Sequence, residues 1–168
     1  MNWAEYERRM ARLAQEVIKH KEADGWQLVG EAESGRSSTV MGRSGHDHQI
    51  DVQATFRDAD GRLWLWIAEC KLTDEVNAGL MACFVARVLD IWQEQYECYD
   101  DIDAHFITSR HYQPGAKKLA DYYHIGVSLS NEYGTDLKIG PTASTIRTPP
   151  PAEAIASALP PTIIGEKE

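Results

Sequence analysis

QIDV at residues 49–52 and LWLWIAECK at residues 63–71 decide the fold of this chain. The second stretch is apolar on both faces through Ile67, which is typical of a strand inside a sheet. Residues 49–56 alternate in polarity as a strand does. The sequence DADG at residues 58–61 supplies turn chemistry between them. Together they predict an antiparallel β-hairpin.

Three charged side chains stand at the ends of these apolar stretches: Asp51, Glu69 and Lys71. Burying an unpaired carboxylate costs several kcal/mol unless it is paired or binds a metal. In an antiparallel hairpin the start of the first strand lies beside the end of the second, so Asp51 and Glu69 are expected to be neighbours. Glu69 and Lys71 share one face of their strand, whereas the Cys70 side chain points the other way, into the packing.

These groups are suited to hydrolysis of a phosphodiester with a divalent cation. Carboxylate oxygens from Asp51 and Glu69, with the main-chain carbonyl of Cys70, form a hard oxygen set that suits Mg²⁺, and Mn²⁺ is the expected substitute. Lys71 would hold or deprotonate the attacking water and offset charge on the phosphoryl oxygens. The alternative is a structural ion-pair cluster, because acid-x-Lys on a strand is a weak pattern by itself.

The remaining elements follow from apolar spacing and from glycine and proline positions. The predicted helices are residues 3–23, 77–96 and 114–123; further strands are predicted at 26–30, 104–108 and 126–130, with a loop at 34–45 that holds a brief strand around 39–41. The order α-β-β-β-α-β-α-β indicates one layered α/β domain with a mixed central sheet, over residues 1–140. Six of the seven prolines lie beyond it, so residues 141–168 are predicted to be a flexible or docking tail.

The net charge of −9 excludes a protein that coats nucleic acid by phosphate neutralisation alone. The acidity is concentrated in residues 74–103, which hold eight acids and one base, Arg87. Residues 35–71 hold five acids and five lysines or arginines, so the candidate site is nearly neutral. The acidic segment 94–103 is predicted to be a solvated helix end, or else a surface for a basic partner protein.

Two further features point to a cytoplasmic protein. No apolar run approaches the roughly 20 residues that cross a bilayer, and the first residues lack the apolar centre of a signal peptide. The three cysteines form no CxxC pair, which predicts free thiols.

The sequences GHDHQIDV at 45–52 and IAECK at 67–71 resemble the PD-(D/E)XK nuclease superfamily, and more narrowly the Mrr-like restriction endonuclease domain. That domain pairs a Gln-Ile-Asp-Val or Gly-Ile-Asp-Val strand start with an acid-x-Lys strand. Later segments resemble its strand, Gly-Ala helix and Gly-Ile strand: residues 106–109, 115–120 and 125–127. Tyr6-Glu7 resembles the aromatic-Glu pair of its first helix. The resemblance covers residues 6–129.

The resemblance implies a restriction-endonuclease-like core and a Mg²⁺-dependent DNA endonuclease in restriction or defence against foreign DNA. Asp51, Glu69 and Lys71 would be its catalytic triad, with Glu7 and Gln49 in support. Cutting both strands of a duplex takes two active centres, so a homodimer is expected. The chain departs from the family at His48, where relatives often carry a basic residue.

Four residues are candidates for contact with DNA: Arg43, His46, His48 and Arg110. The histidines are equally interpreted as polar loop residues, and Arg110 as part of a surface salt bridge. Likewise, Glu7 fits a solvated helix turn and Gln49 a local hydrogen bond.

Two other functions remain open. One is a binding or assembly subunit of nuclease fold that acts with a partner, through segment 94–103 or the tail, without cleaving on its own. The other is a structure-selective or RNA-directed nuclease, since one metal site serves many phosphodiesters.

Overall fold

The computed structural model describes residues 2–72 and 75–140, so the predicted tail at 141–168 lies outside the described residues. In chain order the elements are α1 (Trp3–Ala23), β1 (Gln27–Ser34), a 3₁₀ turn (Gly35–Ser37), β2 (Thr39–Met41), β3 (Asp47–Gln49), β4 (Val52–Arg57), β5 (Leu63–Lys71), α2 (Ala78–Gln95), β6 (Asp101–Thr108), α3 (Pro114–Tyr122) and β7 (Gly126–Leu129). Within the described part, no helix has both the length and the apolar character needed to span a membrane.

The central sheet has five strands in the order β1-β4-β5-β6-β7. β4 runs antiparallel to β1 and β5, whereas β6 and β7 continue the sheet in parallel. The predicted mixed sheet flanked by helices is confirmed, as is the hairpin of β4 and β5. With the small β2–β3 hairpin set aside, the element order is the predicted α-β-β-β-α-β-α-β.

Helix α1 covers one face of the sheet. Met10, Leu13 and Val17 recur at three- and four-residue spacing and are almost fully buried, as one face of an amphipathic helix requires. The Asn2 side chain caps the first turn by accepting the Glu5 N–H at 2.9 Å. Trp66 lies fully buried beneath this helix, as expected of a strand that is apolar on both faces.

Helices α2 and α3 cover the opposite face. Phe84 and Val88 of α2 pack with Ile67 and Phe106 of the sheet. Because side chains alternate along β5, the residues after Ile67 that face α2 are Glu69 and Lys71. Cys70 instead packs in the α1 cluster, as predicted, and all three cysteines are free thiols.

The strand predicted at residues 49–56 is divided in the structure. β3 ends at Gln49 and pairs with β2 in a separate hairpin, and β4 begins at Val52. Between them Ile50 is fully buried, and its N–H donates to the Ser38 carbonyl at 3.0 Å. Asp51 therefore lies in a bend between two sheets rather than inside a strand.

The acidic segment 94–103 is only in part the solvated helix end that the sequence predicts. α2 ends at Gln95, and the last three residues of the segment enter β6, where Asp101 and Asp103 have side-chain exposures of 0% and 1%. Lys21 reaches Asp103 at 2.6 Å, which compensates the buried charge. A basic partner would find exposed carboxylates only in the first part of the segment.

Candidate functional site

Asp51 and Glu69 are brought together by the register of the β4–β5 hairpin. The last antiparallel pair is Val52 with Ala68, so Asp51 faces Glu69 one step further along. Three contacts hold Asp51 in its bend. Its Oδ2 accepts the Cys70 N–H at 2.7 Å, its Oδ1 accepts the Tyr6 hydroxyl, and its main-chain oxygen accepts the Gly35 N–H at 2.9 Å.

Glu69 contacts two cations, one from its own strand and one from α2. Its Oε2 accepts a hydrogen bond from Arg87 Nη1 at 2.9 Å, and its Oε1 lies 3.6 Å from Lys71 Nζ. The Glu69 side chain is 12% exposed, and each of the two cations is 38% exposed. The predicted acid and lysine therefore meet, and Arg87 joins them.

Burial and the nearby charge of Asp51 raise the pKa of Glu69, and the attraction of Arg87 and Lys71 offsets this only in part. Arg87 and Lys71 thus do not fully offset the burial of Glu69 and its repulsion from Asp51. Such an environment favours a bound cation. Burial, followed by the hydrogen bond to Asp51, also raises the pKa of Tyr6. Tyr6 therefore stays protonated and keeps donating to Asp51 at neutral pH.

The donor chemistry at this position fits a hard divalent cation. Asp51 and Glu69 provide carboxylate oxygens. The Cys70 N–H points to Asp51, and in a strand the carbonyl of the same residue points to the same side. Across residues 2–72 and 75–140 no three His, Cys, Asp or Glu side chains gather as a metal cluster. A cation here would thus keep several waters, as Mg²⁺ does.

Two clefts meet at Asp51. The first has a volume of about 490 Å³ and is lined by His46, Asp47, His48, Gln49, Asp51, Glu69 and Arg87. The second, of about 290 Å³, is lined by Asn2, Trp3, Tyr6, Gln49, Asp51, Cys70 and Lys71. Because Gln49 and Asp51 line both clefts, Asp51 lies where the two clefts join.

The β2–β3 hairpin forms a wall of the first cleft and is fastened to α2 through Asp90. Asp90 Oδ2 lies 2.6 Å from His48 Nε2, and the Ser44 N–H and hydroxyl donate to the same carboxylate. Burial opposes ionisation of Asp90, but the bonds to His48 and Ser44 outweigh it and lower its pKa. His46 packs edge-on against His48, so both predicted histidines are held at the cleft.

Glu7 lies behind the site rather than in either cleft. Its Oε1 accepts the Arg36 N–H at 3.1 Å. The adjacent Gly35 has φ +69°, which disfavours other residues, and a Cβ there would lie 1.8 Å from the Glu7 carboxylate and displace it. Since the Gly35 N–H holds Asp51, Glu7 supports the loop that holds the site acid.

The two predicted arginines line neither cleft. Arg43 is 70% exposed and pairs with Glu94 at 3.5 Å. Arg110 is exposed beyond the end of β6, where its main-chain N–H donates to Thr108 Oγ1 at 3.1 Å. Gln49, by contrast, lines both clefts.

The sequence did not predict the roles of Arg87 and Tyr6 in the site. Arg87 is the only base among the eight acids of residues 74–103, a contrast that hinted at a specific acidic neighbour. Tyr6 appeared only as half of an aromatic-Glu pair, and its acceptor lies 45 positions along the chain.

No protein-family model matches the chain, and no curated protein matches it. Among solved structures it is similar to AF1548, a protein of unknown function, at 20% identity and a TM-score of 0.50, over 71% of this chain and 58% of that one. A repair endonuclease from Pyrococcus abyssi matches at 17% identity and a TM-score of 0.47, over 73% and 46% of the two chains. MspJI restriction endonuclease in complex with a 27-mer oligonucleotide matches at 17% identity and a TM-score of 0.44, over 77% of this chain and 26% of that one.

The chain thus spans less than two thirds of each of these solved chains. The likeness to AF1548 is one of fold alone, and the two endonuclease likenesses are weaker still. The chemistry of the chain therefore has to be argued from its own residues.

Proposed function

We propose that this protein is a Mg²⁺-dependent DNA endonuclease with a role in restriction or defence against foreign DNA. The observation that carries the proposal is the convergence of Asp51, Glu69 and Lys71 at one end of the β4–β5 hairpin, beside a cleft of about 490 Å³. Two under-compensated carboxylates next to an ammonium group are the parts that metal-assisted hydrolysis requires.

Asp51, Glu69 and the Cys70 carbonyl would hold Mg²⁺. When bound, the ion would lower the pKa of a coordinated water and offset charge on the phosphoryl oxygens. Lys71 Nζ, 38% exposed beside Glu69, orients the attacking water and stabilises the developing negative charge. Arg87 fixes the Glu69 carboxylate from the opposite side at 2.9 Å.

The DNA backbone would lie in the first cleft, against His46, His48 and Gln49. Arg43 and Arg110, which line neither cleft, would reach only more distant phosphates. A homodimer would supply the second active centre for duplex cleavage. We also propose that the protein acts in the cytoplasm.

A second candidate is a nuclease-fold binding or assembly subunit without cleavage of its own. The observation in its favour is that Glu69 already has a cation at each oxygen, Lys71 at Oε1 and Arg87 at Oε2. A metal ion would have to compete with these two cations for the Glu69 oxygens. DNA affinity would then come from a partner protein.

Incubation with supercoiled plasmid in Mg²⁺ tests the proposal. We expect nicked and linear products from the wild type, none in EDTA, and restored cleavage in Mn²⁺. Lys71→Ala and Asp51→Ala should each lower the rate by roughly 100-fold or more, because each removes a group that acts on the reacting atoms. Lys117→Ala, a change at an exposed lysine of α3, is the matched control.

Cleavage that survives both site substitutions would remove these residues from the mechanism. A wild type that binds DNA through a partner and never cuts it would instead support the second candidate.

A further inference from the structure

Trp3 exposes an unusual amount of aromatic surface at the start of α1. It is 59% exposed although two side chains already lie against it. Tyr6 meets it edge-on, with ring centroids 5.7 Å apart, and the Arg36 guanidinium carbon lies 3.5 Å from its ring centroid. The other tryptophans of the chain are buried or half-buried. An exposed indole beside a cleft leaves apolar surface that a ligand would cover favourably.

The surroundings of Trp3 indicate what kind of ligand fits. Trp3 lines the second cleft, which shares Asp51 and Gln49 with the first. Lys71 forms part of the same lining, and Arg36 is held at the Trp3 ring. The second cleft thus combines a flat aromatic ring with the Lys71 ammonium group beside Asp51, and Arg36 lies against the same ring.

A nucleotide has the matching chemistry, because its base presents a π-face and its phosphates are anionic. Base stacking on aromatic side chains, next to lysines and arginines that follow the backbone, is how proteins bind single strands. If the reacting phosphate lies at Asp51, a neighbouring nucleotide reaches the second cleft without crossing other elements.

We propose that the second cleft binds the base adjacent to the scissile phosphate by stacking it on the face of Trp3 opposite Arg36, with Lys71 and Arg36 near the flanking phosphates. The position of this base next to a scissile phosphate rests on the proposed nuclease function, whereas the stacking does not. In a duplex both faces of a base are covered by its neighbours. The favoured substrate is therefore single-stranded or frayed DNA.

Equilibrium binding of fluorescein-labelled DNA of about 12 nucleotides, measured by anisotropy in EDTA, tests the inference without cleavage. Trp3→Ala should weaken binding of the single strand roughly 5- to 100-fold, the range expected for one stacked base. Trp3→Phe should retain most of the affinity. Binding of the blunt duplex of the same sequence should change less than about threefold. Tyr122→Ala, which removes a 76% exposed tyrosine from α3, is the matched control and should change neither affinity.

Intrinsic fluorescence gives a second measurement. Because Trp3 is the exposed tryptophan, single-stranded DNA should protect the wild type, but not Trp3→Phe, from quenching by acrylamide. Unchanged single-strand binding by Trp3→Ala would overturn the inference, even if the protein cuts plasmid. A Trp3→Ala loss of binding in a protein that cuts neither plasmid nor the single strand in Mg²⁺ would refute the nuclease proposal and leave the stacking site in place.

Discussion

At the scale of single residues, Glu69 is where the electrostatics of the site converge. It is almost buried, it faces another carboxylate, and it is held by two cations from different elements. Its pKa is raised because burial and Asp51 together outweigh Arg87 and Lys71. The folded state therefore binds a proton at Glu69 more readily than the unfolded chain does.

It follows that ionised Glu69 opposes folding. Its raised pKa means that stability falls as pH rises from below the ordinary value of 4.5 through the value in the folded protein. Glu69→Gln removes this penalty, so we expect the variant to be more stable than the wild type at pH 7. The difference should shrink at about pH 4, where the acid is mostly protonated in both states. Urea unfolding in EDTA at the two pH values measures this.

Glu22→Gln, a change at an exposed acid of α1, serves as the control and should have little effect at either pH. A Glu69→Gln variant that is less stable at pH 7 would show that its two ion pairs dominate over burial and repulsion.

At the scale of elements, β6 contains buried polar side chains whose hydrogen bonds connect it to α1 and β7. Lys21 Nζ lies 2.6 Å from Asp103 Oδ2, His105 Nε2 lies 2.8 Å from Asp103 Oδ1, and His105 Nδ1 lies 2.9 Å from Ser128 Oγ. Trp66 stacks on the His105 ring. Each of the four side chains joined by these hydrogen bonds is almost fully buried. The hydrogen-bonded network therefore fixes the position of β6 beside β5.

Removing the charge of Asp103 should be strongly destabilising. Asp103→Asn leaves Lys21 buried without its carboxylate, and we expect a loss of about 3–5 kcal/mol in the free energy of unfolding. Burial opposes ionisation of Asp103, yet His105 and Lys21 outweigh it and lower its pKa to about 2. This stabilisation, about 2 kcal/mol, is present above about pH 4 and is lost as pH falls towards 2.

Urea titrations at pH 7 and at about pH 2.5 test both statements, with Asp121→Asn on the exposed face of α3 as the control. Equal stabilities of wild type and Asp103→Asn at pH 7 would contradict them.

The elements also show which parts of the fold and site the sequence could predict. Local patterns sufficed for α1, β5 and the hairpin, since apolar spacing and the turn at residues 58–61 are contained in short windows. They failed for Asp103, because acids looked solvated and the compensating Lys21 lies 82 positions away. The role of Arg87 was not predicted either, because Arg87 meets Glu69 only once α2 packs on the sheet.

At the scale of the whole molecule, the charge of −9 coexists with few cations around the two clefts. Lys71 and Arg87 line them, and Arg36 lies at the Trp3 ring. Phosphate neutralisation therefore contributes little to affinity, and stacking and the metal would have to contribute more.

The salt dependence of duplex binding should consequently be shallow. With about three phosphates neutralised, the slope of log K against log salt should be roughly −3. Anisotropy titrations in EDTA between about 50 and 300 mM salt measure it. A slope of about −6 or steeper would point to a different interface, for which Arg8, Arg9 and Arg12 on α1 are the candidates.

The hairpin register also bears on the order in which the protein folds. β4 and β5 are joined by a short turn, whereas the parallel pairing of β5 with β6 waits for the α2 crossover. The Asp51–Glu69 and Glu69–Arg87 contacts each join residues 18 positions apart, so both are local compared with the β5–β6 pairing. Asp51 and Glu69 are brought together as the hairpin closes, and their repulsion opposes that closure wherever Arg87 is not yet in place. The acids that would serve the chemistry would then slow the chain's own assembly, and faster refolding of Glu69→Gln at neutral pH would reveal it.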